Sequence, residues 1–113
     1  MSKRVPKLLL GDILEAASKI KIYTKGFSYT NFIADSKTTD AVIRNFEIIG
    51  EAAGRLSEEF KEQYSIVDWF RIKGFRNRIV HDYMGIDYEI VWTIIEKDLA
   101  LLESEVKKIF DQL

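Results

Sequence analysis

The chain has 113 residues, enough for one domain, because a second core would need roughly 100 more. Hydrophobic residues make up 47% and charged residues 31%, which excludes disorder, and the absence of cysteine excludes disulfides, a thiol nucleophile and cysteine-held zinc or iron–sulfur groups. The formal charge of −1 excludes a uniformly basic surface, so any affinity for phosphate has to come from charges segregated along the chain.

In chain order, Pro6 fits a helix's first turn, and Leu10, Ile13, Leu14, Ala17 and Ile20 recur at spacings of three and four, predicting a first helix that ends near Gly26. A connector with Phe27, Tyr29, Phe32 and Ile33 leads to Thr38 and Thr39. Either threonine is placed to cap a second long helix whose apolar positions are Val42, Ile43, Phe46, Ile49, Ala53 and Leu56. Gly50 and Gly54 lie inside that helix, where each costs roughly 1 kcal/mol against alanine, so they mark a place where another helix comes close. Ser57 is placed to cap a short turn. Asp68 caps a third helix predicted from Trp69 to about Tyr83 and stopped by Gly85. Asp87 caps a fourth that buries Ile90, Val91, Ile94, Leu101, Leu102, Val106, Ile109 and Phe110.

The fold class this implies is all-α: an antiparallel up-down four-helix bundle with an additional short helix, forming one domain over residues 1–113. Large aromatics, Trp69 and Trp92 among them, leave more apolar surface than one small bundle hides, which points to a two-fold homodimer. No apolar run approaches the roughly 18 residues that span a bilayer, and no apolar leader segment is visible, so a cytoplasmic protein without membrane attachment is expected.

Charge is unevenly placed on this frame. Residues 69–86 carry four basic side chains and one acidic, whereas 26–68 and 87–113 are each net acidic. Between 69 and 81 stand Arg71, Lys73, Arg76, Arg78 and His81 with no carboxylate among them, which reads as a basic patch or as a solvated helix face. On the second helix, Arg44, Glu47, Glu51 and Arg55 are spaced to pair with one another as a salt-bridge ladder. A single histidine rules out a multi-histidine metal site within one chain. No glycine-rich phosphate loop of either standard type is present, so ATPase and dinucleotide-dependent dehydrogenase chemistry have no support.

What remains is Gly74-Phe75-Arg76-Asn77-Arg78-Ile79-Val80-His81-Asp82-Tyr83. On a helix turning about 100° per residue, Asn77 and His81 fall about 40° apart with Arg78 flanking them. A neutral imidazole accepts a proton from a ribose 2′-hydroxyl, and a guanidinium holds a phosphate through two hydrogen bonds, so the set suits RNA cleavage with neither metal nor cofactor. Spacing alone leaves a second account open, a histidine hydrogen-bonded at a helix end.

Arg76, four residues, His81, one residue and Tyr83, with Asn77 directly after the arginine, resembles the signature of the HEPN superfamily in its HepT-like branch. Arg44-Asn45-Phe46-Glu47-Ile48-Ile49-Gly50-Glu51-Ala52, the Trp69 lead-in, Gly85-Ile86-Asp87 and Ile90-Val91-Trp92 resemble that branch in order and spacing. The likeness therefore runs from about Leu8 to Leu102. Asp82 departs from it, standing where a small residue such as glycine is common, and its carboxylate is placed to raise the histidine pKa or to pair with Arg78.

The resemblance implies a two-fold dimer whose signature residues share one cleft. It also implies a metal-independent endoribonuclease, acting on RNA such as tRNA as the toxin of a toxin–antitoxin pair. On that basis His81 is expected to be the catalytic acid/base and Arg76 to stabilise the phosphorane-like transition state. Asn77 would orient the imidazole or the scissile phosphate, and Lys73 and Arg78 would attract RNA. The partner it implies is a minimal nucleotidyltransferase antitoxin that transfers AMP onto Tyr83; from the residues alone, Tyr83 reads as a ring packed under the last helix. Two other classes stay open: a non-catalytic nucleotide- or substrate-binding accessory subunit of a nucleotidyltransferase, and a plain dimerisation module. No platform of exposed aromatics for stacking bases is evident, Phe27, Tyr29 and Phe32 being candidates set against core packing.

Overall fold

The computed structural model describes residues 5–81 and 85–113, with His81 described through its backbone. Helices α1 (Pro6–Thr24) and α3 (Ser36–Arg55) pack along each other and carry nearly half of the core. Pro6 opens α1 where a missing N–H costs nothing, and beyond its end Gly26 stands at φ +78°, a left-handed backbone that glycine adopts without steric cost. Leu10, Ile13, Ala17 and Ile20 of α1 are fully buried, as are Val42, Ile49 and Ala53 of α3, with Phe46 nearly so. Each of the larger of these side chains contributes roughly 1.5–3 kcal/mol by leaving water, the alanines less.

The segment expected as a connector holds another helix, α2 (Tyr29–Ala34), started by a reciprocal cap. The Ser28 hydroxyl accepts from the Asn31 N–H, and the Asn31 side chain accepts from the Ser28 N–H. α3 then begins earlier than Thr38 or Thr39, because the Asp35 carboxylate caps it by accepting from the Thr38 N–H at 3.2 Å. Ser57 caps α4 (Glu58–Gln63), as its position suggested, by accepting from the Phe60 N–H.

The third predicted helix is two short ones. α5 (Trp69–Lys73) is capped by Asp68, whose carboxylate accepts from the Arg71 N–H, and α6 (Phe75–Ile79) follows after Gly74. Helical bonding crosses the junction, with the Gly74 N–H donating to the Phe70 carbonyl and the Arg78 N–H to the Gly74 carbonyl, both at 3.0 Å. The expected continuation to Tyr83 does not form. The backbone becomes extended at Val80, and β1 (Val80–His81) pairs antiparallel with β2 (Gly85–Ile86), Val80 opposite Ile86 and His81 opposite Gly85. Two adjacent β-branched residues, Ile79 and Val80, favour that change, because their side chains are restricted in a helix and fit a pleated strand. Gly85, at φ +78°, is a ladder residue and not the stop of a helix.

The fourth predicted helix is likewise divided, into α7 (Tyr88–Lys97), capped by Asp87 through the Ile90 N–H, and α8 (Leu99–Gln112), with the break at Asp98. Leu101, expected in the core, is 62% exposed, while Leu99, Leu102, Val106 and Ile109 are buried. α8 packs on α1 and α7, and α5 and α6 lie on α3. The Phe46 and Phe75 rings meet edge to face at 5.7 Å, joining α6 to α3 through a contact of about 0.5–1.5 kcal/mol beyond its burial. The fold is all-α apart from the two-residue ladder, and no helix among the described residues is long and apolar enough to cross a membrane.

Gly50 and Gly54 face α5, as their spacing predicted. A Cβ at Gly50 would stand 3.6 Å from the Lys73 carbonyl oxygen and 3.8 Å from that of Ile72, which is ordinary contact for a methyl group and leaves no room for a branched side chain. Gly50→Ala is therefore expected to be neutral or stabilising by up to about 1 kcal/mol through helix propensity. Gly50→Leu should cost about 1–3 kcal/mol by pushing α5 off α3. Urea denaturation of the two variants checks both signs.

Candidate functional site

The α5–α6 segment has a buried stripe of Trp69, Ile72, Phe75 and Ile79. Phe70, Lys73 and Asn77, spaced three and four apart, fall off that stripe and onto one side of the segment. With Gly74 and Arg76 they form one wall of an open groove of about 580 Å³, and Glu47, Gly50, Glu51 and Gly54 of α3 form the other. The Lys73 stem lies along the bare Gly54 position of that second wall: its Cγ, Cδ and Cε are within 4.0 Å of where a Gly54 Cβ would be.

The groove's two carboxylates and two cations balance in number but do not pair with each other. Glu51 sits 2.7 Å from Arg55 and Glu47 3.9 Å from Arg44, the ladder expected from the sequence, so both carboxylates have cations on their own helix. Lys73 and Arg76 make no ion pair, and the Asn77 side chain no hydrogen bond, among the described residues. Two cations and a carboxamide thus face an opening without side-chain partners among the described residues.

Arg71 and Arg78 are directed elsewhere. Arg71 donates to the Asp98 carboxylate at 2.9 Å, and Nη1 of Arg78 lies 3.9 Å from the same oxygen while its guanidinium sits 5.8 Å from the Phe75 ring centre. The basic run between 69 and 81 therefore does have a carboxylate neighbour, supplied from the α7–α8 break some twenty residues further on. Nη1 of Arg78 is buried without a hydrogen-bond partner among the described residues, where the Asp98 charge and the Phe75 ring are its contacts. The expected grouping of Arg78 with Asn77 is not formed.

Nor does a helical face join Asn77 to His81. α6 ends at Ile79, and His81 follows on extended backbone opposite Gly85, so the 40° separation expected of a helix does not apply. The His81 imidazole, Asp82 and Tyr83 lie outside the described residues, and with them the anticipated effect of Asp82 on the histidine and the packing or modification of Tyr83. Among the described residues no three His, Asp or Glu side chains stand close enough to hold a metal ion.

The aromatic candidates are occupied. Phe32 is fully buried with its ring 5.1 Å from Trp92 and 6.2 Å from Tyr88. Tyr29 packs 6.4 Å from Trp92, and burial, reinforced by the Glu89 and Asp87 carboxylates, holds its phenol above the usual tyrosine range. Phe27 is half-buried against the core. The most exposed aromatic among the described residues is Phe70, and the three-and-four spacing of Trp69, Ile72, Phe75 and Ile79 was the signal that could have found it. Nothing comparable in the sequence pointed to Asp98.

A family model described as Ribonuclease HepT-like matches residues 13–109. The chain belongs to the HepT-like ribonuclease family. It is 41% identical over 107 residues to a Methanocaldococcus jannaschii protein named "Putative RNase", covering 95% of this chain and 98% of that one. A Caldanaerobacter subterraneus protein of the same designation is 38% identical over 109 residues, covering 96% and 97%. A Thermococcus cleftensis protein named "Probable ribonuclease HepT" is 34% identical over 107 residues, covering 95% and 97%. No solved structure matches the chain.

In this HepT-like protein the two sets of cations should separate by their effect on folding. Asp98→Ala leaves Arg71 and Arg78 without their shared carboxylate and is expected to cost about 1 kcal/mol or less, since both guanidiniums are partly solvated. Arg78→Ala should cost a similar amount. Lys73→Ala, which removes no pair, should stay within about 0.5 kcal/mol of wild type. Chemical denaturation of the three variants measures the difference.

Proposed function

We propose that this protein is a metal-independent endoribonuclease whose working unit is a two-fold dimer, a bundle of four main helices in each copy, with the signature residues of both copies lining one cleft. The observation that carries the reading is the groove of unpaired Lys73, Arg76 and Asn77 set immediately before the strand that bears His81, in a chain of the HepT-like ribonuclease family. Lys73 and Arg76 bind backbone phosphates of the RNA, and Arg76 follows the scissile phosphate into the transition state, where the charge on its oxygens is greatest. Arg78 adds long-range attraction for RNA, but its first engagement is with Asp98.

Cleavage needs a base and an acid, and the chain has one histidine. One His81 takes the proton of a ribose 2′-hydroxyl as its oxygen attacks the adjacent phosphorus. The His81 of a second copy gives a proton to the departing 5′-oxygen. The P–O5′ bond breaks, leaving a 2′,3′-cyclic phosphate and a 5′-hydroxyl end. Asn77 orients the imidazole or the phosphate. Exposed Leu8 and Leu101 supply apolar surface that a second copy would cover.

The biological setting we propose is that of a toxin held by a minimal nucleotidyltransferase antitoxin that transfers AMP onto Tyr83. A phosphodiester two residues in sequence from His81 would add negative charge to the signature segment, the chemistry by which it would compete with RNA for Arg76. The test is cleavage of total tRNA in the presence of a chelator. Wild type should cut with unchanged rate and leave cyclic phosphate ends detectable by mass spectrometry. His81→Ala should lose about 10²–10⁴-fold in rate and Arg76→Ala about 10²–10³-fold. A His81→Ala protein that cuts as wild type, or a wild type stopped by the chelator, would overturn the reading.

A further inference from the structure

We propose that Phe70 is a base-stacking residue, the place where an unpaired base of single-stranded RNA lies while its neighbouring phosphates rest on Lys73 and Arg76; this deepens the ribonuclease reading and rests on it. Phe70 is 90% exposed, the most exposed of the large hydrophobic side chains described. Its neighbour Trp69 is buried, with its indole N–H donating to the Tyr64 carbonyl at 3.1 Å, so the pair divides, one ring inward and one outward. No ring or cation packs on Phe70 among the described residues. A phenylalanine left in water forgoes roughly 1.5–3 kcal/mol of burial, which a partner's flat apolar face would restore.

Its surroundings say what kind of face. Phe70 and Lys73 line both the groove against α3 and a second, open groove bordered by Glu58, Lys61, Ile66 and Asp68, so the ring stands on a ridge between two channels with a cation beside it. Around it in the first groove are glycines, carboxylates already paired to arginines, and the unpaired Lys73, Arg76 and Asn77. A single aromatic in a polar groove that also offers two cations and a carboxamide suits a nucleotide, whose base is flat and apolar and whose backbone is anionic. It suits an apolar protein face poorly, because the charges next to it would be desolvated without partners. Along a helix Phe70 and Asn77 are about 10 Å apart, so the stacked base flanks the reacting nucleotide and is not the one cleaved.

The experiment uses the full-length protein and a short, fluorescently labelled, single-stranded 2′-O-methyl RNA, which has no free 2′-hydroxyl to attack. Binding is read by anisotropy and assembly by sedimentation velocity. Phe70→Ala and Phe70→Leu are each expected to weaken binding about tenfold, and Phe70→Trp to bind as wild type, with unchanged sedimentation for all. Leucine is the informative case, since it keeps apolar bulk and loses the π-face. Phe70→Leu binding as tightly as wild type overturns stacking, and a changed sedimentation coefficient for Phe70→Ala shows instead that a second copy covers the ring and Ile66. Wild type that cuts RNA while every Phe70 variant binds equally removes the stacking proposal and leaves the ribonuclease reading intact. Wild type that neither binds nor cuts removes both.

Discussion

The arrangement of the groove depends on one close approach, that of the last turn of α5 to Gly50 and Gly54 on α3. Carbonyl oxygens of Ile72 and Lys73 come within ordinary contact distance of where a methyl group would be, a separation that larger side chains at these positions would prevent. The same absence of side chains lets the Lys73 stem lie on α3, and the edge-to-face contact of Phe46 with Phe75 continues the attachment one turn further along. With α5 and α6 held there, the off-stripe residues Phe70, Lys73 and Asn77 have only the groove and solvent to face. Helix packing at a pair of glycines thus decides which side chains become available for chemistry.

A second constraint is the early end of α6. Were the helix to run on, His81 would follow Asn77 one turn up the same face; the extended backbone at Val80 puts it instead into a two-residue ladder closed by Gly85. The Asp87 N–H donates to the Ile79 carbonyl at 2.7 Å, so the same residue that caps α7 also satisfies a carbonyl left by α6. The backbone of the catalytic candidate thus lies in a ladder that joins the end of α6 to the start of α7.

Electrostatics then divides the basic run. Asp98, at the α7–α8 break, takes Arg71 and Arg78, while the α3 ladder satisfies its own carboxylates and leaves Lys73 and Arg76 uncompensated. Four arginine and lysine side chains within eight residues thus serve two purposes, one anchoring α5 and α6 to the α7–α8 break and the other facing the groove. The groove's two carboxylates are paired along α3 with Arg44 and Arg55, so Lys73 and Arg76 face it without a carboxylate of their own among the described residues.

Much of this was legible in the chain itself. Three-and-four spacing of apolar residues located α1 and α3, and the caps at Ser57, Asp68 and Asp87 were readable because a side chain that accepts from an N–H three residues on is a local device. The glycine pair announced a helix contact, since glycine inside a helix needs a compensating reason. What local pattern could not decide was where a long apolar period is interrupted: Ile79 and Val80 lean toward a strand only weakly, α7 and α8 keep helix-compatible sequence across their break, and long-range packing and the ladder settle both. Nor could it assign partners distant in sequence. Asp98 meets Arg71 and Arg78, and Phe70 is left uncovered, only once α3, α5 and α8 have taken their places, because ion pairs and exposure are properties of distances in space that the order of residues does not contain.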